Sequence, residues 1–214
     1  GTAILDLAQA GRLGLSTFVS LGNKADVSEI DLMEAWVEDP DTRVMMMYSE
    51  GLPNGEEFIE VARRVTRKKP LVAIKSGVTE SGSRAVSSHT GSLAGSEQAY
   101  EAAFRQAGVL RADDMAGLFN MALALGYQPA LKGDRIAIIT NAGGPGILAT
   151  DALERRGMSL SRLEVETIQK LEQYLPDAAS AANPVDVLGD ARADRYQFAL
   201  QTVSEDPNVA EVMV

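Results

Sequence analysis

The single histidine of this chain, His89, lies in the segment SSHTGSLAG, which consists almost entirely of small polar residues and glycine. A neutral imidazole is a competent nucleophile, and the amide and hydroxyl groups of Thr90, Gly91 and Ser92 can surround the anion that a phosphorylated imidazole carries. The segment runs into a predicted helix near Ser96, whose N-terminus favours negative charge. The composition favours an anion-binding segment around a nucleophilic imidazole; a surface histidine that only forms hydrogen bonds is the alternative.

Glu50 is the second residue placed where chemistry occurs. It follows the apolar stretch VMMMY at 44–48 and precedes a turn rich in glycine, proline and asparagine. In doubly wound sheets ligands bind off the carboxyl ends of the strands. A carboxylate there can hydrogen-bond one imidazole nitrogen and fix the tautomer that exposes the other. The alternative is a solvated loop glutamate.

The segment NAGGPG lies between a predicted strand and a predicted helix. Its glycines allow close backbone approach, and a helix N-terminus offers unpaired N–H groups, so the segment favours a phosphate or another anion. The spacing is neither that of a dinucleotide fingerprint nor that of a P-loop, and a tight turn without a ligand is the alternative. The predicted phosphate-binding residues are Asn141, Gly143, Gly144 and Gly146.

The segment NPVDVLGD contributes two weaker candidates, Asn183 and Asp186. These side chains can line a binding site or organise a turn. From the residues alone the turn is favoured.

Helix-like and strand-like segments alternate along the chain, which is the pattern of an α/β protein. Helices are predicted at 4–10, 29–38, 56–67, 97–106, 115–125, 147–156, 164–174 and 196–203. Strands are predicted at 15–21, 44–48, 71–74, 109–110 and 135–140.

The chain also contains an internal repeat. GTAILDLAQAGRLGLS at residue 1 aligns without gaps with GPGILATDALERRGMS at 144, and EDPDTRVMMM at 38 matches EDPNVAEVMV at 205. Two tandem units are therefore predicted at 1–127 and 134–214, with a linker at 128–133. The second copy carries RIAIIT and a glycine turn before the shared helix, and the first continues beyond the point where the second stops. We therefore expect both sheets to be incomplete.

The composition excludes several classes of partner. The formal net charge of −10 disfavours nucleic acid and anionic membrane surfaces. The sequence has neither an apolar run long enough to span a bilayer nor a signal segment. With no cysteine and one histidine, sulfur-based metal sites are excluded. A cytoplasmic, metal-free protein without a tightly bound cofactor is the expectation.

Six motifs, STFVSLGNKADV, YSEG, VAIKSG, SSHTGSLAG, NAGGPGILATDAL and NPVDVLGDA, together resemble the NDP-forming acyl-CoA synthetases. This family includes the ADP-forming acetate–CoA ligases and is related to succinyl-CoA synthetase. The resemblance implies two tandem flavodoxin-like domains, each a three-layer αβα sandwich with a mostly parallel sheet. It also implies two partners on the same or another chain: a CoA-binding Rossmann domain and an ATP-grasp module.

The resemblance further implies a role for each candidate. His89 would be the phosphohistidine and Glu50 the glutamate that contacts it, while the glycines of NAGGPG would begin one of two helices that stabilise the phosphohistidine. The second such helix would begin at Gly1. Acyl-CoA and phosphate would give acyl phosphate, which phosphorylates His89; the loop would then carry the phosphoryl group to ADP, with Mg²⁺ held by the ATP-grasp module.

Two other classes of protein are alternatives to this enzyme. One is the synthetase-like regulatory or ligand-binding region of a protein lysine acetyltransferase, against which the presence of both Glu50 and His89 argues. The other is an FMN carrier, which an aromatic content of 5% and the lack of a Ser/Thr-rich phosphate loop disfavour. Because the CoA-binding domain and the ATP-grasp fold are absent from this sequence, the chain alone should not complete the net reaction. Exposed apolar surface predicts an oligomer.

Overall fold

The computed structural model describes residues 2–22, 24–52, 54–77 and 97–214. The chain divides into two compact units, Gly1–Pro129 and Ala130–Val214. The division falls inside the linker predicted at 128–133. The segment 78–96, which contains His89 and the predicted phosphate-binding residues Thr90, Gly91 and Ser92, lies outside the described residues.

The first unit is built around a parallel sheet of order β1-β2-β3. Its described elements are α1 (Thr2–Ala10), α2 (Glu29–Trp36), β1 (Met45–Ser49), α3 (Gly55–Thr66), β2 (Leu71–Lys75), α4 (Glu97–Ala107), β3 (Leu110–Arg111) and α5 (Met115–Tyr127). The central strand β2 is buried along its whole length because helices cover both of its faces. Phe58 and Phe104 pack on one face, and Leu118 packs with Val72 and Ile74 on the other.

Local hydrogen bonds fix where three helices of this unit begin. Ser28 and Asp31 form a reciprocal capping box at the start of α2. The side chain of Asn54 accepts a hydrogen bond from the Glu57 amide at α3, and Asp114 does the same for the Gly117 amide at α5. These caps satisfy amides that have no partner inside the helix. Each cap also marks the residue at which the preceding loop ends and the helix begins.

The second unit has a parallel sheet centred on β4 (Arg135–Thr140). Its other elements are α6 (Gly143–Glu154), β5 (Ser159–Leu160), α7 (Val165–Tyr174), β6 (Val185–Asp186), α8 (Ala193–Ser204) and β7 (Glu211–Met213). β4 pairs with β5 near its amino end, with β6 at its carboxyl end, and with β7. Both units are α/β with parallel sheets, which confirms the predicted fold class.

The repeated EDP segments form the same turn in both units. In the first unit the Asp39 carboxylate accepts a hydrogen bond from the Asp41 amide, and in the second the Asp206 carboxylate accepts one from the Asn208 amide. A strand, β1 or β7, begins after each turn. β7 pairs with β4, whereas β1 lies at the edge of the sheet formed by the described residues.

Several secondary-structure predictions were wrong. Residues 15–21 form no strand: no described strand pairs with them, and Leu15, Phe18 and Val19 are exposed. Residues with a high β-propensity form a strand only where a neighbouring strand supplies partners for their backbone hydrogen bonds. The short strands β5, β6 and β7 were missed because two or three residues carry too little periodicity. Helix α6 begins at Gly143, four residues earlier than predicted, because its first turn consists of glycine and proline.

Candidate functional site

Glu50 stands at the carboxyl end of β1, as the sequence predicts. It is half-buried and lines a cavity of about 1150 Å³ in the first unit, together with residues of α2, β1 and α5. Its neighbour Ser49 is buried and forms the last Cα pair with Lys75 of β2. Ser76 and Gly77 follow Lys75 along the chain and precede the segment 78–96 that contains His89. Glu50 therefore lies beside the strand end that is three residues before this segment in the sequence.

A buried polar network holds the turn that follows Glu50. Lys24 donates hydrogen bonds to the Glu29 carboxylate and, at 2.8 Å, to the Gly51 carbonyl. The Ser49 hydroxyl contacts the same two groups, at 3.2 Å from Glu29 Oε1 and 3.0 Å from the Gly51 carbonyl. Because Gly51 is fixed from two sides, the backbone on both sides of Glu50 is constrained.

Tyr100 of α4 fixes the same turn one residue later. Its hydroxyl accepts a hydrogen bond from the Leu52 amide at 2.9 Å. Burial raises the pKa of Tyr100, so the phenol remains neutral and keeps its own proton for a further hydrogen bond. The turn is therefore tied to both α2 and α4.

In the second unit, the N-terminus of α6 is open. Ala142 occupies the cap position and makes no side-chain cap. Gly143 and Gly144 are exposed, and their amides have no acceptor among the described residues. The exposed side chain of Asn141 likewise makes no hydrogen bond to the described part of the chain. A helix N-terminus with two free amides can bind an anion.

Gly146, the third predicted phosphate-binding glycine, faces the sheet instead of the open helix end. It is buried, and a Cβ atom there would lie 3.1 Å from Thr140 Cγ2 and 3.6 Å from Pro184 Cβ. The absence of a side chain lets α6 pack closely on β4. Its structural role is therefore helix–strand packing.

Asn183 joins strands of the second unit through its side-chain amide. The amide nitrogen donates to the carbonyls of Ile136 and Ser161, and the amide oxygen accepts from the Ile138 amide at 2.9 Å. Asp186, paired with Thr140 in the sheet, accepts a hydrogen bond from the Leu188 amide. Its second oxygen lies near Gly143, 3.9 Å from where a Cβ atom would stand. Both residues organise backbone, and Asp186 also borders the open end of α6.

Replacement of Asn183 by alanine is expected to destabilise the second unit by about 2–4 kcal/mol, because three backbone groups lose their partner. Chemical denaturation measures the free energy of unfolding of Asn183→Ala and of the matched control Asn141→Ala. Because Asn141 is exposed, its replacement should change this free energy by less than about 0.5 kcal/mol. Equal effects of the two substitutions would contradict the strand-joining role of Asn183.

Sequence reasoning missed Lys24, Glu29, Ser49 and Lys75, all of which surround the turn at Glu50. The one available signal was the lysine that ends the otherwise apolar strand LVAIK. Among the described residues, no group of three or more histidine, cysteine, aspartate or glutamate side chains could hold a metal ion. No helix in that part of the chain has the length and apolarity to cross a bilayer.

Comparisons with known proteins identify the family. Residues 1–125 match the succinyl-CoA ligase-like flavodoxin domain, and residues 136–214 match the ligase-CoA domain. The chain is 48% identical to the alpha subunit of ADP-forming acetate–CoA ligase II from Pyrococcus furiosus, over 92% of this chain and 43% of that protein. It is 47% identical to ADP-forming acetate–CoA ligase I from Archaeoglobus fulgidus, over 99% and 30%.

A solved structure gives the same result. The dinucleotide forming acetyl-coenzyme A synthetase 1 of Candidatus Korarchaeum cryptofilum, in complex with phosphate and ADP, matches with a TM-score of 0.91 and 40% identity, over 98% of this chain and 46% of that one. The chain belongs to the NDP-forming acyl-CoA synthetase family. It spans less than half the length of these relatives.

Proposed function

We propose that this chain relays a phosphoryl group through His89 within an ADP-forming acyl-CoA synthetase. Phosphate attacks the acyl carbonyl of an acyl-CoA and releases CoA, which gives an acyl phosphate. The imidazole of His89 then attacks phosphorus, so that the carboxylate leaves and a phosphohistidine forms. ADP accepts the phosphoryl group in the last step, which yields ATP and regenerates the imidazole.

The position of Glu50 carries this proposal. Glu50 directly follows β1 and lies on a turn that is held through Gly51 and Leu52. Its neighbour Ser49 pairs with Lys75, which is three residues before the segment that contains His89. A carboxylate held in this way can accept a hydrogen bond from one imidazole nitrogen. The other nitrogen then keeps its lone pair for phosphorus.

The open end of α6 offers an anion two free amides. A Gly144→Ala substitution meets open space and should leave stability within about 0.5 kcal/mol. The added methyl group hinders approach to the amides, so we expect inorganic phosphate to bind at α6 about 10-fold more weakly. A phosphate titration followed through the amide NMR signal of Gly143 measures this effect.

Gly146→Ala provides the contrasting variant. It should destabilise the second unit by about 1–3 kcal/mol, because its methyl group would crowd Thr140. Its phosphate affinity at α6, measured below the melting transition, should remain near that of the parent chain. An unchanged phosphate affinity in Gly144→Ala would show that the end of α6 is not an anion site.

The nucleotide and CoA are assigned to partner domains. In this proposal Mg²⁺ binds together with ADP or ATP on an ATP-grasp domain or subunit, and CoA binds to a Rossmann domain. The proposal therefore predicts that this chain alone forms the phosphohistidine and requires both partners for the net reaction.

The test is incubation of the chain with ³²P-labelled acetyl phosphate, chosen because several relatives are acetate–CoA ligases. A phosphohistidine is labile in acid and stable in base, whereas a phosphoserine behaves in the opposite way. Acid-labile label supports the proposal. Absence of label, both with acetyl phosphate and with ATP, Mg²⁺ and an ATP-grasp partner, would favour a regulatory region of the lysine acetyltransferase type.

A further inference from the structure

Lys75 is a buried cation beside the proposed site. It is the last residue of β2, the Cα partner of Ser49, and only 5% exposed. The Ser76 amide donates a hydrogen bond of 3.0 Å to the Ser49 carbonyl. This bond extends the pairing of β1 and β2 by one residue beyond the end of β2. Lys75 and Ser76 therefore lie directly beside Ser49 and Glu50.

The Lys75 ammonium has unused hydrogen-bonding capacity. It lies over the Tyr100 ring, 4.7 Å from the centroid, and donates one hydrogen bond to the Ser76 carbonyl. An ammonium group has three N–H donors. No carboxylate of the described residues forms an ion pair with it within 4 Å. The Ser76 hydroxyl is also buried and has no partner in that part of the chain.

The charges around Lys75 do not neutralise it by direct contact. Burial lowers the pKa of Lys75. The negative charges of Glu97 and Glu50 oppose this shift. The positive charges of Arg111 and Lys24 lower the pKa further. Glu97 is itself ion-paired with Arg111. A desolvated cation without a paired anion is costly to keep in a fold, and such groups concentrate at functional sites.

We propose that the Lys75 ammonium and the Ser76 hydroxyl bind the phosphoryl group carried by His89, an inference that rests on the proposed function. A phosphoryl dianion placed next to the Glu50 carboxylate experiences like-charge repulsion. Lys75 supplies the opposite charge at the same edge of the sheet. The desolvated surroundings strengthen this attraction, and the dianion satisfies donors that otherwise lack acceptors.

Lys69 provides a matched control at the other end of β2. It is half-buried and donates hydrogen bonds to the backbone carbonyls of Trp36 and Asp39. Like Lys75, it therefore has backbone carbonyls as hydrogen-bond partners. It precedes the first residue of β2, whereas Lys75 ends the strand. A purely structural lysine should lower stability when replaced and should leave phosphate binding unchanged.

The experiment compares Lys75→Met, Lys75→Arg and Lys69→Met in the full chain, with inorganic phosphate and acetyl phosphate as probes. For Lys75→Met we expect an unchanged or raised Tm, since methionine fills similar volume without a buried charge. Its phosphate affinity, measured as the phosphate-dependent Tm shift, should fall by about 10- to 100-fold, and its labelling rate by a similar factor. Lys75→Arg keeps the positive charge and should retain most of the phosphate affinity and most of the labelling rate. Lys69→Met should lower Tm and leave both readouts unchanged.

Wild-type phosphate affinity and labelling in Lys75→Met would overturn the assignment, as would equal losses in Lys69→Met. The same phosphate titrations in a His89→Ala background separate this inference from the proposed function. Absence of label on every chain would count against the phosphohistidine. A label formed at the parent rate by Lys75→Met would remove Lys75 alone.

Discussion

Replacement of His89 by alanine is expected to reduce acid-labile phosphoryl incorporation at least about 1000-fold, to background, because the nucleophile is removed. The chain has one histidine and no cysteine, so no other imidazole or thiolate can accept the group. The measurement is ³²P incorporation from acetyl phosphate, with acid and base treatment of the labelled chain. The melting transitions of the two units should remain at the parent values.

Ser88→Ala is the neighbouring control for this experiment. It changes the same segment, keeps the imidazole, and should retain acid-labile label. If His89→Ala were still labelled, or if the parent's label were stable in acid, the acceptor would be another side chain and the relay through His89 would be wrong.

Glu50→Gln should slow phosphohistidine formation by about 100- to 1000-fold while the protein remains folded. The neutral amide loses the charge that favours a positive imidazole in the transition state, and it can present its N–H to the ring and select the wrong tautomer. Single-turnover labelling at saturating acetyl phosphate gives the rate. The lifetime of the isolated phosphohistidine should also shorten.

Glu56→Gln removes an exposed carboxylate from the first turn of α3 and serves as the charge-matched control. Its labelling rate should equal that of the parent. A comparable loss in both variants would indicate a general electrostatic effect on a negatively charged substrate. A parent-like rate in Glu50→Gln would remove Glu50 from the reaction.

Helix and strand positions with long, regular patterns were predictable from the sequence. The alternation of VMMMY, LVAIK and RIAIIT with amphipathic stretches predicts parallel sheets covered by helices, and the structure confirms this. The place of Glu50 followed from the same logic, because a residue directly after an apolar strand lies at a carboxyl edge. The segment 15–21 shows the limit: strand formation requires a partner edge, which composition does not report.

The residues that hold Glu50 were not predictable. Lys24, Glu29 and Ser49 are separated by up to 25 positions and meet only when α2 packs beside β1. Gly146 resembled a ligand-binding glycine in its motif, yet its contact with Thr140 and Pro184 makes it a packing residue. Both cases depend on distances between segments.

By itself the sequence determined the α/β class, the repeat and the likeness to acyl-CoA synthetases, and it predicted His89 and Glu50 as candidates for the chemistry. These properties are carried by local periodicity and by contiguous motifs. Only the tertiary structure decided that α6 offers free amides at Gly143 and Gly144, and that Lys75 is buried beside Glu50 without a carboxylate partner among the described residues. Burial and hydrogen-bond satisfaction are set by neighbours distant in sequence, so these features arise only when the elements pack.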